Sequence, residues 1–394
     1  MSGNESAAPA LEFSLVRGGP LYNLRQAVGL VPEKGLGLAK RAATIVAFTW
    51  LPIVLGAIVE KRFFPGQSAD PLLRHFGVHA RLLIAIPLLI FAEAPMEQIV
   101  PAITRQFTLG GFIAGPELDE FAQVLRRAEA LRDSIWGKLL ALGAIAWTVT
   151  LPFFSPLLGD ELAWAAGDQP GQIRFAGWWF LCVGRPIFVG LMAIWVWRLF
   201  IGWRLIRGIS ALNLQLVPSH PDRAGGLGFV QRISVADAWI VFAMSVVLAG
   251  RWGHEVLYHG THVDSLKPLV AVYTVLILIV FMGPLLLFSR NLRHCKHRAL
   301  MQYSALVGEQ GRLVYRKWIF GQDVGEPPIL DSPELGCVAD TNTIFDAVEK
   351  MRVVPLGKEA LIPLVLAIAI PMIPVFAIEV PVKDLLLKIG TSLV

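Results

Sequence analysis

Of the ionisable side chains inside the long apolar runs of this chain, three merit naming: Glu93, Arg185 and Asp237. A charge near the middle of a spanning helix costs about +2.5 to +3.5 kcal/mol on insertion scales, so such groups face a bundle interior and seek partners. Their chemistry would be to hold an ion or a proton along a path through a membrane. Glu93 lies between Pro87 and Pro95, Arg185 precedes Pro186, and Asp237 is near the start of its run. Counted from the outer ends of their runs at 1.5 Å per residue, Glu93 is about 19 Å and Arg185 about 14 Å deep. The expectation is that these two pair in one polar interior, with Asp237 nearer its cytoplasmic mouth.

A second constellation is Ser219-His220-Pro221-Asp222-Arg223-Ala224-Gly225-Gly226-Leu227-Gly228-Phe229. A proline-fixed turn followed by glycines lets backbone approach closely, either to another helix or to an anion held on exposed N–H groups. The plainer expectation is a tight turn in which Asp222 bonds local backbone. A third group, His254, Glu255, His259, His262 and Asp264, has ligand-type side chains but lacks the four-residue spacing that places two His on one helical face. A loop folded around zinc or copper is the only metal reading it allows. No cofactor motif is identified, and the three cysteines, Cys182, Cys295 and Cys337, have no metal spacing.

The elements that must position these groups are seven apolar runs near 42–59, 80–98, 136–155, 176–197, 234–250, 268–288 and 360–379, each close to the roughly 20 residues that span a bilayer. With 55% hydrophobic and 16% charged residues, the composition excludes an ordinary soluble domain. Lys and Arg number 24 in the N-terminal segment and even loops against 9 in the odd loops and C-terminus, which predicts a cytoplasmic N-terminus and a periplasmic C-terminus. The net charge of +5 is explained by these flanks, so no nucleic-acid partner is expected. Trp195, Trp197 and Trp203, interleaved with Arg198, Arg204 and Arg207, read as an interfacial belt. The first 40 residues carry no cleavable signal pattern.

The fold class is therefore an all-α polytopic membrane bundle of about seven transmembrane helices with a cytoplasmic helical layer. Its parts are a cytoplasmic segment 1–41, spans one to six over 42–290, a cytoplasmic helical segment 291–358, and a final span with periplasmic tail, 359–394. Within the layer, Pro116 and the acids after it start a helix over 117–135, expected to run unbroken into the third span. A helix over 292–318 has a matching stripe, and the two are expected to pack on each other. Thr343 and Asp346 have capping-box spacing for a shorter helix to Met351. Gln322–Ser332 reads as a linker, and Pro363, Pro371 and Pro374 predict a kinked or broken last span.

The segments His79–Glu93 (HARLLIAIPLLIFAE), His220–Gly228 (HPDRAGGLG) and Lys350–Pro355 (KMRVVP) resemble a family of uncharacterised bacterial multi-pass inner-membrane proteins. The resemblance implies a bacterial inner membrane and carries no activity. The functional expectation is permeation or transport through a polar site in the bundle, with Glu93, Arg185, Asp237, His220, Asp222, Arg223, Gly225 and Gly226 as candidate residues. The alternative is a membrane-embedded enzyme or scaffold using the His220–Gly228 loop. Expected partners are the lipid bilayer and a second copy of the chain, docked through the cytoplasmic helices.

Overall fold

The computed structural model describes residues 11–18, 37–68, 70–150, 162–167, 172–325 and 334–379. Those residues form helices, with only two isolated β-bridges among them. In chain order the helices are α1 (Leu38–Val59), α2 (Phe76–Leu109), α3 (Glu117–Asp133), α4 (Trp136–Thr150), α5 (Phe175–Ser210), α6 (Leu227–Tyr258), α7 (Val263–Ile319), α8 (Glu334–Glu349) and α9 (Lys358–Phe376). Six of them, α1, α2, α5, α6, α7 and α9, are long and apolar enough to cross a membrane. The remaining expected span, 136–155, is helical through Thr150, and its last residues lie outside the described ones. So do most of the 1–41 segment, the Gln322–Ser332 linker beyond Gly325, and the tail after Glu379.

Local chemistry sets the helix ends. The apolar run of α1 stops at Glu60, where Lys61 takes a left-handed conformation (φ 55°) and Arg62 N–H closes on Ala57 O at 2.8 Å. Both α2 and α5 contain a widened π turn, Ala80–Ala85 and Phe180–Gly184, and each ends two residues before a proline, Pro87 and Pro186. Proline lacks an N–H and crowds the preceding turn, and a π turn absorbs both without ending the helix. The last span, expected to be kinked or broken, is likewise one unbroken helix despite its three prolines.

Three helices outrun the bilayer. At 1.5 Å per residue α2, α5 and α7, with 34, 36 and 57 residues, are roughly 51, 54 and 86 Å long, against a hydrocarbon core of about 30 Å. They overhang on the side of the Lys- and Arg-rich loops, here termed the basic face. There Phe107 of α2 gathers Phe121, Phe229 and Phe288 at centroid distances of 6.3, 5.0 and 6.2 Å, tying α2, α3, α6 and α7 together.

The helical layer differs from expectation in three ways. Helix α3 does not continue into α4, because Ser134 is extended (ψ 160°) and its hydroxyl bonds Leu131 O at 2.6 Å. Nor does α3 pack chiefly on the 292–318 helix. It lies against α5, where Val124 meets Gly208 and a Cβ there would stand 2.6 Å from Val124 Cγ1. The 292–318 stretch is the continuation of α7, and its partner is α8. Finally, α8 starts at Glu334, so Thr343 is an interior residue whose hydroxyl bonds Ala339 O rather than capping a terminus.

Residues 11–18 fold back into the basic face. Phe13, Leu15 and Val16 are buried, Phe13 N–H donates to Thr104 Oγ1 at 3.2 Å, and Arg132 Nη1 donates to Ser14 O at 2.8 Å. The segment is an apolar stopper pinned by polar contacts at its edges.

Candidate functional site: a buried ionic cluster

Three helices bring their charges to one point. Glu93 of α2 accepts from Arg41 Nη1 at 2.6 Å through Oε2 and from both terminal nitrogens of Arg198 at 3.2 Å through Oε1. The side chains of Arg41, Glu93 and Arg198 are only 3%, 4% and 9% exposed. Charges so far from water persist only when paired and hydrogen-bonded, and one carboxylate bridging two guanidinium groups achieves this in a Y-shaped cluster. Arg198 also lies 4.7 Å from the ring centroid of Trp195, whose Nε1 donates to Leu89 O at 2.9 Å. Trp195 is thus a buried support for the cluster, which corrects its reading as part of an interfacial belt.

Arg41 fixes the depth. It is the fourth residue of α1, so the cluster sits where the spans emerge at the basic face and not at mid-bundle. One turn further along α2, Glu97 accepts from Ser14 Oγ and from Arg17 Nε, the latter at 2.9 Å. The stopper segment is therefore tied to the same helix face as the cluster. Asp237 of α6 is 5% exposed and shares with Arg198, Met96 and Leu15 the lining of a void of about 40 Å³.

The expected partnership of Glu93 with Arg185 is corrected by this geometry. The arginine that α5 presents to Glu93 is Arg198, thirteen residues or about 20 Å of helical rise beyond Arg185. Arg185 is half-buried, directly after the π turn. Of the three intramembrane candidates the structure brings Glu93 and Asp237 to one end of the bundle. Arg41 and Arg198, placed at the edges of apolar runs by composition, are the cluster members that the residue pattern alone did not single out.

The glycine-rich loop has a filled centre. Asp222 Oδ1 accepts from the N–H groups of Ala224 (2.8 Å) and Gly226 (3.1 Å), Oδ2 from Gly228 (2.7 Å), and His220 Nδ1 lies 2.9 Å from Oδ1. Burial pushes the Asp222 pKa up, but the donors of Ala224, Gly228, Gly226 and His220 outweigh it and hold the carboxyl below the usual carboxylate range. The N–H groups that would cradle an external anion thus already hold the loop's own carboxylate. Gly225 (φ 63°), Gly226 (φ 93°) and Arg223 (φ 55°) supply the left-handed turns this wrapping needs. A Cβ on Gly226 would stand 2.4 Å from the Phe112 ring. The loop also positions Arg352, whose Nη2 donates to Asp222 O at 2.9 Å and whose N–H donates to Arg223 O at 2.7 Å.

The histidine group does not converge. His254 bonds Arg74 O at 2.9 Å and packs against His75, His262 pairs with Glu379, and Asp264 pairs with Lys267. Among the described residues no group of three or more His, Cys, Asp or Glu is placed to hold a metal ion. His254, His259, His262 and Asp264 therefore form no such group among the described residues: the His254 and His259 rings lie 5.2 Å apart, while His262 and Asp264 are drawn to Glu379 and Lys267.

These features define a multi-pass helical membrane protein with an ionic cluster buried at one end of its bundle. No known protein family matches the chain, and neither a curated protein nor a solved structure matches it.

Proposed function

We propose that the protein carries an ion, or an ion-coupled solute, across a bacterial inner membrane, with the Arg41–Glu93–Arg198 cluster and Asp237 as its polar site. The observation that supports this reading is the buried Arg41–Glu93–Arg198 cluster, drawn from three helices, whose Arg198 shares the lining of a small void with Asp237 of a fourth helix and with Leu15 of the segment 11–18. Burying charges in a bundle is costly, and a cluster shared among helices that can shift relative to one another is a usual basis for gating or coupling. In this reading Glu93 and the two arginines form the ion-binding centre, and Asp237 and Leu15 line the void beside Arg198. The enzyme alternative through the His220–Gly228 loop draws less support, because both oxygens of Asp222 are engaged by backbone N–H groups.

Flux into proteoliposomes tests the proposal. Wild-type protein should pass protons, chloride or potassium faster than protein-free vesicles. Asp237→Asn should change the rate or selectivity while leaving the elution profile intact. Absence of flux for all three ions, from wild type and from a variant lacking residues 1–18, would remove the reading. The orientation belongs to the same proposal, with the N-terminus cytoplasmic and the basic face inward. Reporter fusions after residue 394 and within 290–358 should light up on opposite sides. Assembly through the overhanging α7, where Met301, Trp318 and Ile319 are exposed, completes it and is read by light scattering.

A further inference from the structure

We propose that the chain holds one glycerophospholipid between α6 and α9, its phosphodiester in the cavity beside Arg352 and Lys358 and an acyl chain in the apolar groove beneath. Two features of different chemistry coincide here. At the basic face a cavity of about 600 Å³ is lined by Gln106, His220, Gln231, Arg352, Lys358 and Glu359, with Phe112, Phe229 and the Asp222 loop behind them. Deeper between the same two helices runs a groove of about 400 Å³ lined by Val235, Ala238 and Phe242 of α6 and Pro363, Leu366 and Ile370 of α9, with almost no polar surface.

The two are in line on both helices. Gln231, Val235, Ala238 and Phe242 are spaced i, i+4, i+7 and i+11, and so are Glu359, Pro363, Leu366 and Ile370. Each set is one face of a helix. Both helices start at the basic face, and Gly357 N–H donates to Gln231 Oε1 at 2.8 Å, which pins their tops at one level. Counted from Gln231 on α6 and from Glu359 on α9, the groove extends from about 6 Å to about 17 Å down each helix at 1.5 Å per residue. That is the depth at which an acyl chain begins below its own headgroup.

Charge selects the headgroup. The Arg352 guanidinium is held only by neutral acceptors, Leu356 O at 3.0 Å and Asp222 O at 2.9 Å, and its buried Nε has no hydrogen bond. Among the described residues neither Arg352 nor Lys358 has a carboxylate partner. A partly buried guanidinium fixed in place without a counter-charge is a site for a phosphate oxygen. The negative groups nearby leave room for one such charge. Asp222 is saturated by three N–H donors, and Glu359 is exposed at the rim, where it disfavours a second phosphate charge. A single phosphodiester fits this balance.

Native mass spectrometry of the purified chain, titrated with phosphatidylglycerol, with diacylglycerol of the same chains, and with glycerol phosphate, tests the proposal. One phosphatidylglycerol should bind per chain, and the other two should each bind at least about tenfold more weakly, since each keeps only half of the site. Lys358→Gln should weaken phosphatidylglycerol about tenfold, the equivalent of one charge-assisted contact, and leaves Arg352's structural bonds untouched. Ala238→Trp should fill the groove and weaken phosphatidylglycerol but not glycerol phosphate. Diacylglycerol binding as tightly as phosphatidylglycerol would reduce the site to ordinary annular lipid. Glycerol phosphate binding as tightly, with Ala238→Trp silent, would make it a soluble phosphoryl site and overturn the lipid. Indifference of phosphatidylglycerol to both substitutions would overturn the site itself.

Discussion

Removing Glu93 should damage the fold more than removing either arginine it bridges. In Glu93→Gln two guanidinium groups, 3% and 9% exposed, remain side by side with no carboxylate between them. Breaking a buried ion pair in this way costs about 3–5 kcal/mol, because a buried charge loses its carboxylate. In Arg198→Gln the 2.6 Å Arg41–Glu93 pair survives. What is lost is a charged hydrogen-bonding contact of about 1.5–3 kcal/mol and a stack on Trp195 of about 0.5–2 kcal/mol, partly offset by the lower cost of desolvation. The double change Glu93→Gln with Arg198→Gln leaves one guanidinium deprived of the Glu93 carboxylate instead of two, so it should be less destabilised than Glu93→Gln alone. Replacing all three by apolar residues of similar volume should come close to wild type, or exceed it. Apparent melting temperature in detergent, followed by size-exclusion elution after heating, ranks the four variants. The expected order of loss is Glu93→Gln, then the double, then Arg198→Gln, with the triple apolar variant least affected. A Glu93→Gln protein as stable as wild type, or a double variant worse than Glu93→Gln by the full Arg198→Gln effect, would refute the reasoning, since additivity means that the charges do not share a site.

Three further outcomes follow from the basic face. Gly226→Ala should lower folded yield far more than Gly111→Ala: both need a left-handed residue, worth about 1–2 kcal/mol, but only Gly226 would also drive a Cβ to 2.4 Å from Phe112. The Asp222 carboxyl, held below its ordinary pKa, contributes stability that is fully present above the unfolded value of about 3.9 and is lost as pH falls through the lower folded value. Asp222→Asn should therefore be less stable at neutral pH and show a flatter acid limb, and an unchanged limb would contradict the bonding of the loop. Leu125→Asp should abolish folded protein, since Leu125 is 4% exposed, whereas Leu306→Asp at 36% exposure should be nearly silent; equal effects would restore the expected packing of the two helices on each other.

The helical class and the sites of most spans were legible because an apolar run of bilayer length needs only composition to be recognised. The ionic cluster was only half legible, for a reason of geometry. Depth counted inward from the outer ends of the runs placed Glu93 beside Arg185, yet those ends are the least determined part of a hydropathy profile, and α2 begins at Phe76 rather than near residue 80. Counted from the basic-face ends, Glu93 is five residues short of the end of its run at 98. Arg41 abuts the start of the first run at 42, Arg198 follows the end of the fourth at 197, and Asp237 is three residues into the fifth. All four then fall within about 8 Å of one level at 1.5 Å per residue, while Arg185 is about 18 Å deeper. The same apolar runs therefore give two registers, and only the one counted from the basic-face ends puts the four charges near one level. Arg41 and Arg198 were hidden because a basic residue at the edge of an apolar run has a sufficient explanation in the headgroups. A carboxylate little more than one turn inside the end of the neighbouring apolar run is what converts such a flank into a buried partner.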